Sequence, residues 1–394
     1  MGELPLTGLR VVALEQAVAA PLCTRHLADL GADVVKVERP DGGDFARAYD
    51  SAVNGLSSWW VVLNGGKRSL AVDLKDARGR EIVERLVARA DVVVQNFAPG
   101  AMERLGLGVD QLRARYPRLI ACAISGYGDA GPYAGRKAYD AIVQAEAGVL
   151  AVTGTPEQPA KAGVSVVDMA TGLYAFAAIT TALYRRQRTG EGATIRATLF
   201  DAIGEWMNPA IVAARAGRPP VRAGARHPSI VPYGPYRCGG GRRVFLAVQN
   251  EREWVRLCHE VLCRPELATD PRFARNELRV AHRDALEPLL EEILSDMSLE
   301  EIEGRLERAD IAYGRENEPG TILDHPAVTA RDRVRTLHTP AGDVAALKPP
   351  FNVDGWPVAD PWVPRLGEHT EQVLAELGYA PETIAELRTA GVVA

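Results

Sequence analysis

Residues 9–38, LRVVALEQAVAAPLCTRHLADLGADVVKVE, contain two strand-like segments separated by a helix-like one. Leu9–Leu14 and Asp33–Glu38 are short apolar runs rich in valine, which is typical of buried strands. Pro21–Gly31 predicts a helix that ends at its glycine. A strand, a helix and a second strand in this order favour a parallel sheet with a helical connection.

The same alternation continues through the first two hundred residues. Further strands are predicted at Ser69–Leu74, Asp91–Asn96, Leu119–Ile124 and Ala193–Leu199, and the clearest helix at Ala77–Ala90. This order predicts an α/β fold with a Rossmann-like, doubly wound parallel sheet. Because such sheets bind ligands at the carboxyl ends of their strands, we expect the functional site at that edge.

The length of 394 residues indicates two domains, since one core of ordinary size serves a shorter chain. The segment AGRPPVRAGARHP, residues 216–228, predicts a linker. Two strands around Gly239–Gly241 and several helices follow it and predict a smaller α+β domain. We therefore expect a large domain at 1–215 and 330–394, and a small domain with its linkers at 216–329.

Composition excludes several classes of function. The net charge of −5 argues against a general affinity for nucleic acid or anionic membranes, so neither is an expected partner. The start of the chain does not resemble a leader, and no charge-free apolar run of membrane-spanning length is evident. The five cysteines lack metal-ligand spacing and favour reduced thiols in a cytoplasmic protein. We expect no metal site and no permanently bound cofactor.

Two segments imitate dinucleotide sites without meeting their requirements. The turn after the first predicted strand, EQAVAAP at residues 15–21, lacks the glycines that let a pyrophosphate approach a helix. Gly126, Gly128 and Gly131 match a glycine-rich motif, but Pro132 follows them rather than a helix. Neither segment supports a nicotinamide or flavin site.

Asp168 stands between a short strand-like segment, Val164–Val167, and a long apolar run that predicts a helix. An aspartate at this point often caps the helix by accepting a backbone N–H. It also suits a nucleophilic carboxylate held at the positive end of a helix. Spacing alone leaves both interpretations open.

Longer motifs carry a resemblance to a known family. They are LTGLRVV at Leu6–Val12, PLCTRHLADLGADVVKVERPDGGD at Pro21–Asp44, LNGGKRSLAVDLK at Leu63–Lys75, ADVVVQNFAPGAMERLGLG at Ala90–Gly108 and SGYGDAGPYAGRKAYDAIVQAEAG at Ser125–Gly148. In this order the chain resembles the class III CoA-transferase family, also called CaiB/BaiF. The resemblance covers nearly the whole chain.

The resemblance implies an enzyme that moves CoA from an acyl-CoA to a free carboxylic acid. In this family an aspartate, here Asp168, forms an anhydride with the acyl group and then a thioester with CoA. Tyr139 and Asp140 match positions beside that nucleophile, where an auxiliary role and a surface role remain open for Asp140. Members of the family also form interlocked homodimers, so a second copy of the chain is an expected partner.

The resemblance also assigns residues to CoA. Positive side chains are expected to hold its phosphates, since the protein as a whole is acidic. Taken alone, each of these cations is more often a solvated surface residue. The residues that match CoA contacts of the family are Val18, Ala19, Arg39, Val72, Lys75, Asn96, Phe97, Arg104 and Lys137.

Two other functions are compatible with the resemblance. The racemase branch of the family uses a histidine where this chain has Tyr139, and no histidine occurs between His26 and His227. A racemase would therefore lack one of its two proton carriers. A non-catalytic relative that only binds acyl-CoA is disfavoured because Asp168 is present.

Substrate choice rests on the second half of the chain. His227–Cys238 and Gln249–Trp254 resemble the branch that acts on short dicarboxyl-CoA esters, such as succinyl, itaconyl, mesaconyl and citramalyl groups. A second carboxylate on the acyl group requires a cation or hydroxyl near the nucleophile. The candidates in chain order are Arg47, Tyr49, Arg226 and His227, each of which also has an ordinary structural explanation as a surface or turn residue.

Overall fold

The computed structural model describes residues 3–394. Strands of the N-terminal half are β1 (Arg10–Leu14), β2 (Asp33–Glu38), β3 (Arg68–Ala71), β4 (Val92–Gln95), β5 (Ile120–Ser125) and β6 (Ala193–Thr198). Within the described residues they form one six-stranded sheet in the order β3-β2-β1-β4-β5-β6, and every neighbouring pair is parallel. The predicted α/β fold with a parallel sheet is confirmed.

Valine side chains in register hold the centre of this sheet. Val12 of β1 lies opposite Val35 of β2 on one side and Val93 of β4 on the other, and all three are buried. Such β-branched runs pack well on a sheet that is covered on both faces. The strand order reverses between β1 and β4, which is where sheets of this kind place their ligands.

The helices of this half connect the strands and cover the sheet. They are α1 (Ala19–Asp29), α2 (Ser58–Asn64), α3 (Ala77–Val87), α4 (Ala101–Arg104), α5 (Val109–Arg115), α6 (Asp140–Glu146), α7 (Val149–Val152), α8 (Val166–Thr189) and α9 (Leu199–Arg215). A short 3-10 turn lies at Phe45–Ala48.

One predicted element is wrong. Val164–Val167 does not form a strand, because α8 already begins at Val166. Val164 is exposed, and the amide of Val167 donates to the side chain of Asp140 rather than to a neighbouring strand. A short run of β-branched residues therefore serves here as the first turn of a helix.

The smaller sheet is antiparallel. Its strands are β7 (Tyr233–Arg237), β8 (Arg243–Ala247) and β9 (Ala312–Arg315), and a glycine turn at Gly239–Gly241 joins the first two as the sequence predicts. Around it lie α10 (Glu251–Arg256), a π-helical turn at Leu257–Val261, α11 (Glu266–Thr269), α12 (Asn276–Ala281), α13 (Arg283–Ser295) and α14 (Leu299–Arg308). Trp254, Phe273 and Leu290 are buried in a core of their own.

The C-terminal segment returns to the large sheet. Its elements are a 3-10 turn at Pro319–Asp324, α15 (Pro326–Thr329), the antiparallel pair β10 (Val334–Thr339) and β11 (Gly342–Leu347), α16 (Thr370–Glu376) and α17 (Pro381–Thr389). The amide of Ala71 donates to Thr370 Oγ1 at 3.1 Å, and Val393 pairs with Val72 just beyond β3. Leu374 lies in the same core as the sheet.

The chain divides into two compact units. The large unit comprises Met1–Ala147, Ala162–Asn208 and Leu323–Ala394, and the small unit comprises Gly148–Lys161 and Pro209–Ile322. The sequence predicts a division at 216 and 329 and leaves residues 148–161 in the large domain. Those residues belong to the small unit because Arg222 donates to the carbonyls of Thr155 and Pro156, and Gly224 to that of Gly154.

Helix α8 crosses α1 at very short range. A Cβ on Gly172 would lie 2.6 Å from the carbonyl oxygen of Ala19, so only glycine fits there. Within residues 3–394 this helix is the one with the length and apolar composition to cross a membrane. Its contact with α1 buries part of that apolar surface, and it brings the start of α8 beside the loop that follows β1.

We predict that Gly172→Ala destabilises the protein by about 1–3 kcal/mol, because the added methyl group meets backbone that cannot rotate away. Gly204→Ala in α9 is the matched control, since a Cβ there meets no atom within 4 Å. The control is expected to be neutral or to add up to about 1 kcal/mol. Urea unfolding measures both, and equal stability of the two variants would contradict the close α1–α8 crossing.

Candidate active site

Asp168 is the third residue of α8 and is partly buried. Ser165, at the cap position, makes no capping hydrogen bond with its side chain. Asp140 Oδ1 accepts hydrogen bonds instead from the amides of Val167 at 2.8 Å and Asp168 at 3.2 Å. Asp140 therefore caps α8, and the carboxylate of Asp168 is left free of the capping role.

A buried amide fixes Asp140 in place. Gln144 is fully buried and donates through Nε2 to Asp140 Oδ2 at 2.6 Å. Its Oε1 accepts from the amide of Ala162 at 2.8 Å. Both oxygens of Asp140 are thus engaged, one by Gln144 and one by α8, so this acid orients the first turn of the helix.

The environment of Asp168 raises its pKa from 3.8 to about 7. Burial, which penalises the charged form, is the larger cause, and the nearby negative charge of Asp140 adds to it. A carboxylate with a raised pKa is a better nucleophile than an exposed one, yet about half of it is still ionised near pH 7.

Of the two tyrosines predicted near Asp168, Tyr49 lies within its electrostatic reach. The pKa of Tyr49 is raised to about 12, first by burial and then by the charges of Asp44, Asp168 and Tyr139. Tyr139 immediately precedes α6, and its side chain is 60% exposed. Because Asp168 and Tyr139 both act on Tyr49, and Asp140 acts on Asp168, the structure places these four residues near one another.

The loop after β1 forms the neighbouring wall. Met169, which follows Asp168, packs against the cluster of Val18, Leu22 and Leu63, and so does Ala17. Val18 and Ala19, both predicted CoA contacts, are buried at the start of α1, so their side chains belong to the core. Ala17 has a φ of +65°, an unusual value for a residue with a side chain.

Hydrogen bonds from other strand ends hold this loop. Asn96, which follows β4, accepts from the amide of Gln16 at 2.9 Å and donates to its carbonyl at 2.8 Å. Asp44 Oδ1 accepts from the amide of Ala17 at 3.1 Å. Asn96 thus positions the loop across the point where the strand order reverses.

A cluster of buried charges lies beneath the loop. Glu15, Lys36, Asp44 and Lys67 are fully buried, and Lys67 Nζ donates to Glu15 at 2.8 Å while Lys36 Nζ donates to Asp44 at 2.8 Å. Burial lowers the pKa of Lys67 to about 8, and the charge of Glu15 opposes this shift. Buried charges are tolerated only when they are paired and hydrogen-bonded. Removing one member of the cluster would leave its partners buried without compensation.

The sequence prediction missed this cluster and Gln144. A usable signal was Lys36, because a charged residue inside a valine-rich parallel strand requires a buried partner. Gln144 carried no signal in the sequence, since a glutamine in a short helix is ordinary.

Arg47, predicted to bind the substrate, is engaged elsewhere. Its guanidinium donates to both oxygens of Glu38 at 2.9 and 2.8 Å and stacks 3.4 Å above the ring of Trp60. Glu38 stands where dinucleotide-binding sheets have an acid that binds the ribose. Because Arg47 bonds both of its oxygens, Glu38 is not available for that role. The remaining hydroxyl candidate in the large unit is Tyr49.

The cations predicted to bind CoA share one edge of the sheet. Arg39 follows β2, Lys75 follows β3, Arg104 lies in α4 after β4, and Lys137 lies between β5 and α6. All four are exposed, and within residues 3–394 none of them forms an ion pair. Their charges are therefore not compensated by an acid, as is also true of several other arginines in the described part of this unit.

Other predicted contacts take less direct positions. Val72 is buried beside β3, so its side chain belongs to the core, while Phe97 is partly buried and packs against that core. Arg226 and His227 belong to the small unit. Arg226 pairs with Glu287 and Glu291, and the His227 ring stacks on Tyr233 at 5.1 Å. Within the described residues the cysteines are free thiols, and no cluster of potential metal ligands occurs.

The sequence matches the model of CoA-transferase family III over residues 6–370. The chain belongs to CoA-transferase family III. A succinate–glutarate CoA-transferase from Agrobacterium fabrum is 38% identical, covering 98% of each chain. An acetyl-CoA:oxalate CoA-transferase from Acetobacter aceti is 35% identical, covering 96% of this chain and 97% of the relative.

The fold agrees with this assignment. A crystal structure of a CaiB/BaiF family protein from Brucella suis superimposes with a TM-score of 0.84 at 37% identity, covering 95% of this chain and all of that one. The transferase is therefore similar over its whole length to proteins of one family. Relatives of nearly equal identity bear the names of different acids, so overall similarity does not decide the acceptor.

We predict that the unfolding free energy of the Asp168→Asn variant, compared with that of the unchanged protein at the same pH, increases as the pH rises. A carboxyl whose pKa rises from 3.8 to about 7 on folding binds its proton more tightly in the folded state, so stability falls as pH rises between those values. The substitution removes this loss. The gain in unfolding free energy should grow by about 1–3 kcal/mol between about pH 5 and pH 8 in urea titrations.

Asp201→Asn provides the control, because Asp201 is an exposed aspartate in the first turn of α9. A difference between the Asp168 variant and the unchanged enzyme that stays constant across this pH range would show that the carboxyl is not perturbed.

Proposed function

We propose that the enzyme transfers CoA between short dicarboxylic acids through covalent intermediates on Asp168. The proposal rests on the state of the Asp168 carboxylate. Asp140, not Asp168, caps α8, and the pKa of Asp168 is raised to about 7. A carboxylate needed only for folding would gain by capping its own helix and by staying in water.

The first half-reaction loads the enzyme. A carboxylate oxygen of Asp168 attacks the thioester carbonyl of the acyl-CoA, the C–S bond breaks, and CoA leaves as the thiolate. The product is a mixed anhydride. The thiolate then attacks the aspartyl carbonyl, the anhydride C–O bond breaks, and the donor acid leaves as a carboxylate. Asp168 now carries CoA as a thioester.

The second half-reaction runs these steps in reverse with another acid. The acceptor carboxylate attacks the aspartyl thioester, and the thiolate leaves. It then attacks the acceptor carbonyl of the new anhydride, which returns Asp168 as a free carboxylate and releases the new acyl-CoA. Each step exchanges one acyl bond for another of similar energy, so the thioester energy is kept as long as water is excluded.

The residues around Asp168 support distinct roles in this scheme. Asp140, held by Gln144, orients the first turn of α8 and disfavours extra negative charge on the resting carboxyl. The backbone at Val18 and Ala19 lines the path of the pantetheine, and the four unpaired cations at the sheet edge bind the phosphates of CoA. Binding the remote phosphates fixes the thioester in position for attack.

The dicarboxylate assignment is supported by the names of the relatives and by the hydroxyl group near the nucleophile. Tyr49 lies within reach of Asp168, whereas Arg47 is held by Glu38. A tyrosine hydroxyl can donate to a second carboxylate without introducing a competing positive charge. Succinate, glutarate, itaconate, mesaconate and citramalate are the acids that we expect.

We also infer that the enzyme is a cytoplasmic homodimer. The family resemblance implies the dimer, and exposed apolar side chains on α8 and α9, among them Leu173, Tyr174 and Trp206, support it. The free thiols suit a reducing compartment. Sedimentation equilibrium tests the dimer, and a monomer at micromolar concentration would contradict it.

Two substitutions separate chemistry from binding. Asp168→Ala is expected to abolish CoA exchange while the affinity for CoA stays within about tenfold, or ~1.4 kcal/mol. Arg104→Ala is expected to weaken CoA binding by about 1–3 kcal/mol, because a charge-assisted bond to phosphate is lost. Arg185→Ala, an exposed arginine paired with Glu191 at the far end of α8, should leave the affinity unchanged. Isothermal titration and an exchange assay measure these effects; exchange by the Asp168 variant would refute the mechanism.

A screen of acceptors tests the substrate class. With succinyl-CoA as donor, kcat/KM for the best of glutarate, itaconate, mesaconate and citramalate should exceed that for butyrate and formate by at least about tenfold. Butyrate is the matched control because it lacks only the second carboxylate of glutarate. Equal or faster transfer to either monocarboxylate would overturn the dicarboxylate assignment while leaving the CoA-transfer chemistry intact.

A further inference from the structure

The small unit contains an open cavity of about 590 Å³. Its walls are the segment around residues 221–228, the hairpin of β7 and β8, and helix α13. This volume lies in the range of sites that bind small organic ligands. No step of the transfer reaction uses it.

Arginines dominate the cavity, and two of them are already neutralised. Arg226 pairs with Glu287 and Glu291, and Arg283 pairs with Glu287. Those two glutamates are the acids that line the cavity. The charges of the other lining arginines, Arg222, Arg237 and Arg243, are therefore not matched by acids within it.

Arg237 and Arg243 face each other. They are the last residue of β7 and the first of β8, and they are directly paired in the antiparallel register. Like charges at such a position destabilise a hairpin. Arg243 has a distant acid, Glu316 at 3.6 Å, whereas within residues 3–394 Arg237 forms no ion pair. An anion between the two guanidinium groups would relieve their repulsion.

Arg222 is fixed on another wall. Its guanidinium donates to the carbonyl oxygens of Thr155 at 2.8 Å and Pro156 at 2.7 Å. These contacts hold the side chain in place but leave its positive charge uncompensated, because carbonyl groups are neutral. A pre-positioned guanidinium loses little conformational freedom when it binds an anion.

We propose that this cavity binds a small organic phosphate. A phosphate dianion matches several guanidinium groups, whose N–H donors are arranged to bind its oxygens in pairs. Pro156, Val221 and Pro235 form an apolar part of the wall, which suits an uncharged body attached to the phosphate. A protein of net charge −5 has no general attraction for anions, so such a site must be local.

Binding of AMP to the full-length protein tests the proposal. Isothermal titration at low ionic strength should give saturable binding with a Kd below about 1 mM. The double variant Arg237→Ala/Arg243→Ala is expected to weaken it at least about tenfold. Arg242→Ala is the matched control: this neighbouring arginine pairs with Glu300 and does not line the cavity. Glucose 6-phosphate separates this cavity from the predicted CoA site because it lacks the adenosine part of CoA; its affinity should fall in the same double variant. The Arg242 variant should bind AMP within about twofold of the unchanged protein.

Several outcomes would overturn the proposal. They are no saturable binding of AMP, binding of AMP or glucose 6-phosphate that the double variant retains, and a loss shared with the Arg242 variant. A titration with succinate at the same ionic strength tests the ligand class, because equal or tighter binding of this dicarboxylate would refute the assignment to phosphates.

Discussion

Two hydrogen bonds, from the amides of Val167 and Asp168 to one oxygen of Asp140, set the start of the longest helix in the described chain. A helix leaves its first N–H groups without internal partners, and a side chain from its own sequence usually accepts them. Here a residue from another helix does so. Asp168, the proposed nucleophile, is thereby placed in the first turn without having to cap it. Gln144, buried and bonded at both ends of its amide, makes the arrangement rigid.

The loop after β1, on the other side of Asp168, rests on a cluster of buried charged side chains. Glu15, Lys36, Asp44 and Lys67 are enclosed beneath the loop after β1, and Asp44 also holds the amide of Ala17. Desolvating so many charges costs several kcal/mol for each ion, and only their mutual pairing offsets it. Such a cluster is an inefficient way to gain stability but an effective way to fix a loop in one conformation. In the proposed mechanism this matters, because the backbone of the loop would line the path of the pantetheine to Asp168.

Sequence patterns predicted the parallel sheet well, for physical reasons. Valine-rich segments separated by helices admit few alternatives to a parallel sheet, and cations that follow successive strands must meet at one edge. The family resemblance, rather than spacing, distinguished Asp168 from an ordinary cap. Long-range contacts were not predictable from the sequence. Nothing near Val164–Val167 indicates that Asp140 accepts the amides of Val167 and Asp168, and the run of valines therefore predicted a strand. Arg47 likewise appeared available until the structure placed Glu38 and Trp60 against it.

The central claim is that the carboxylate of Asp168 carries first an acyl group and then CoA. Trapping the enzyme with hydroxylamine during turnover of succinyl-CoA tests it most directly, because activated aspartyl carbonyls are converted to a stable hydroxamate. Mass spectrometry of the digested protein should find the hydroxamate at Asp168, and only when acyl-CoA is present. A modification at another residue, or an unmodified Asp168 in an enzyme that is turning over, would contradict the account.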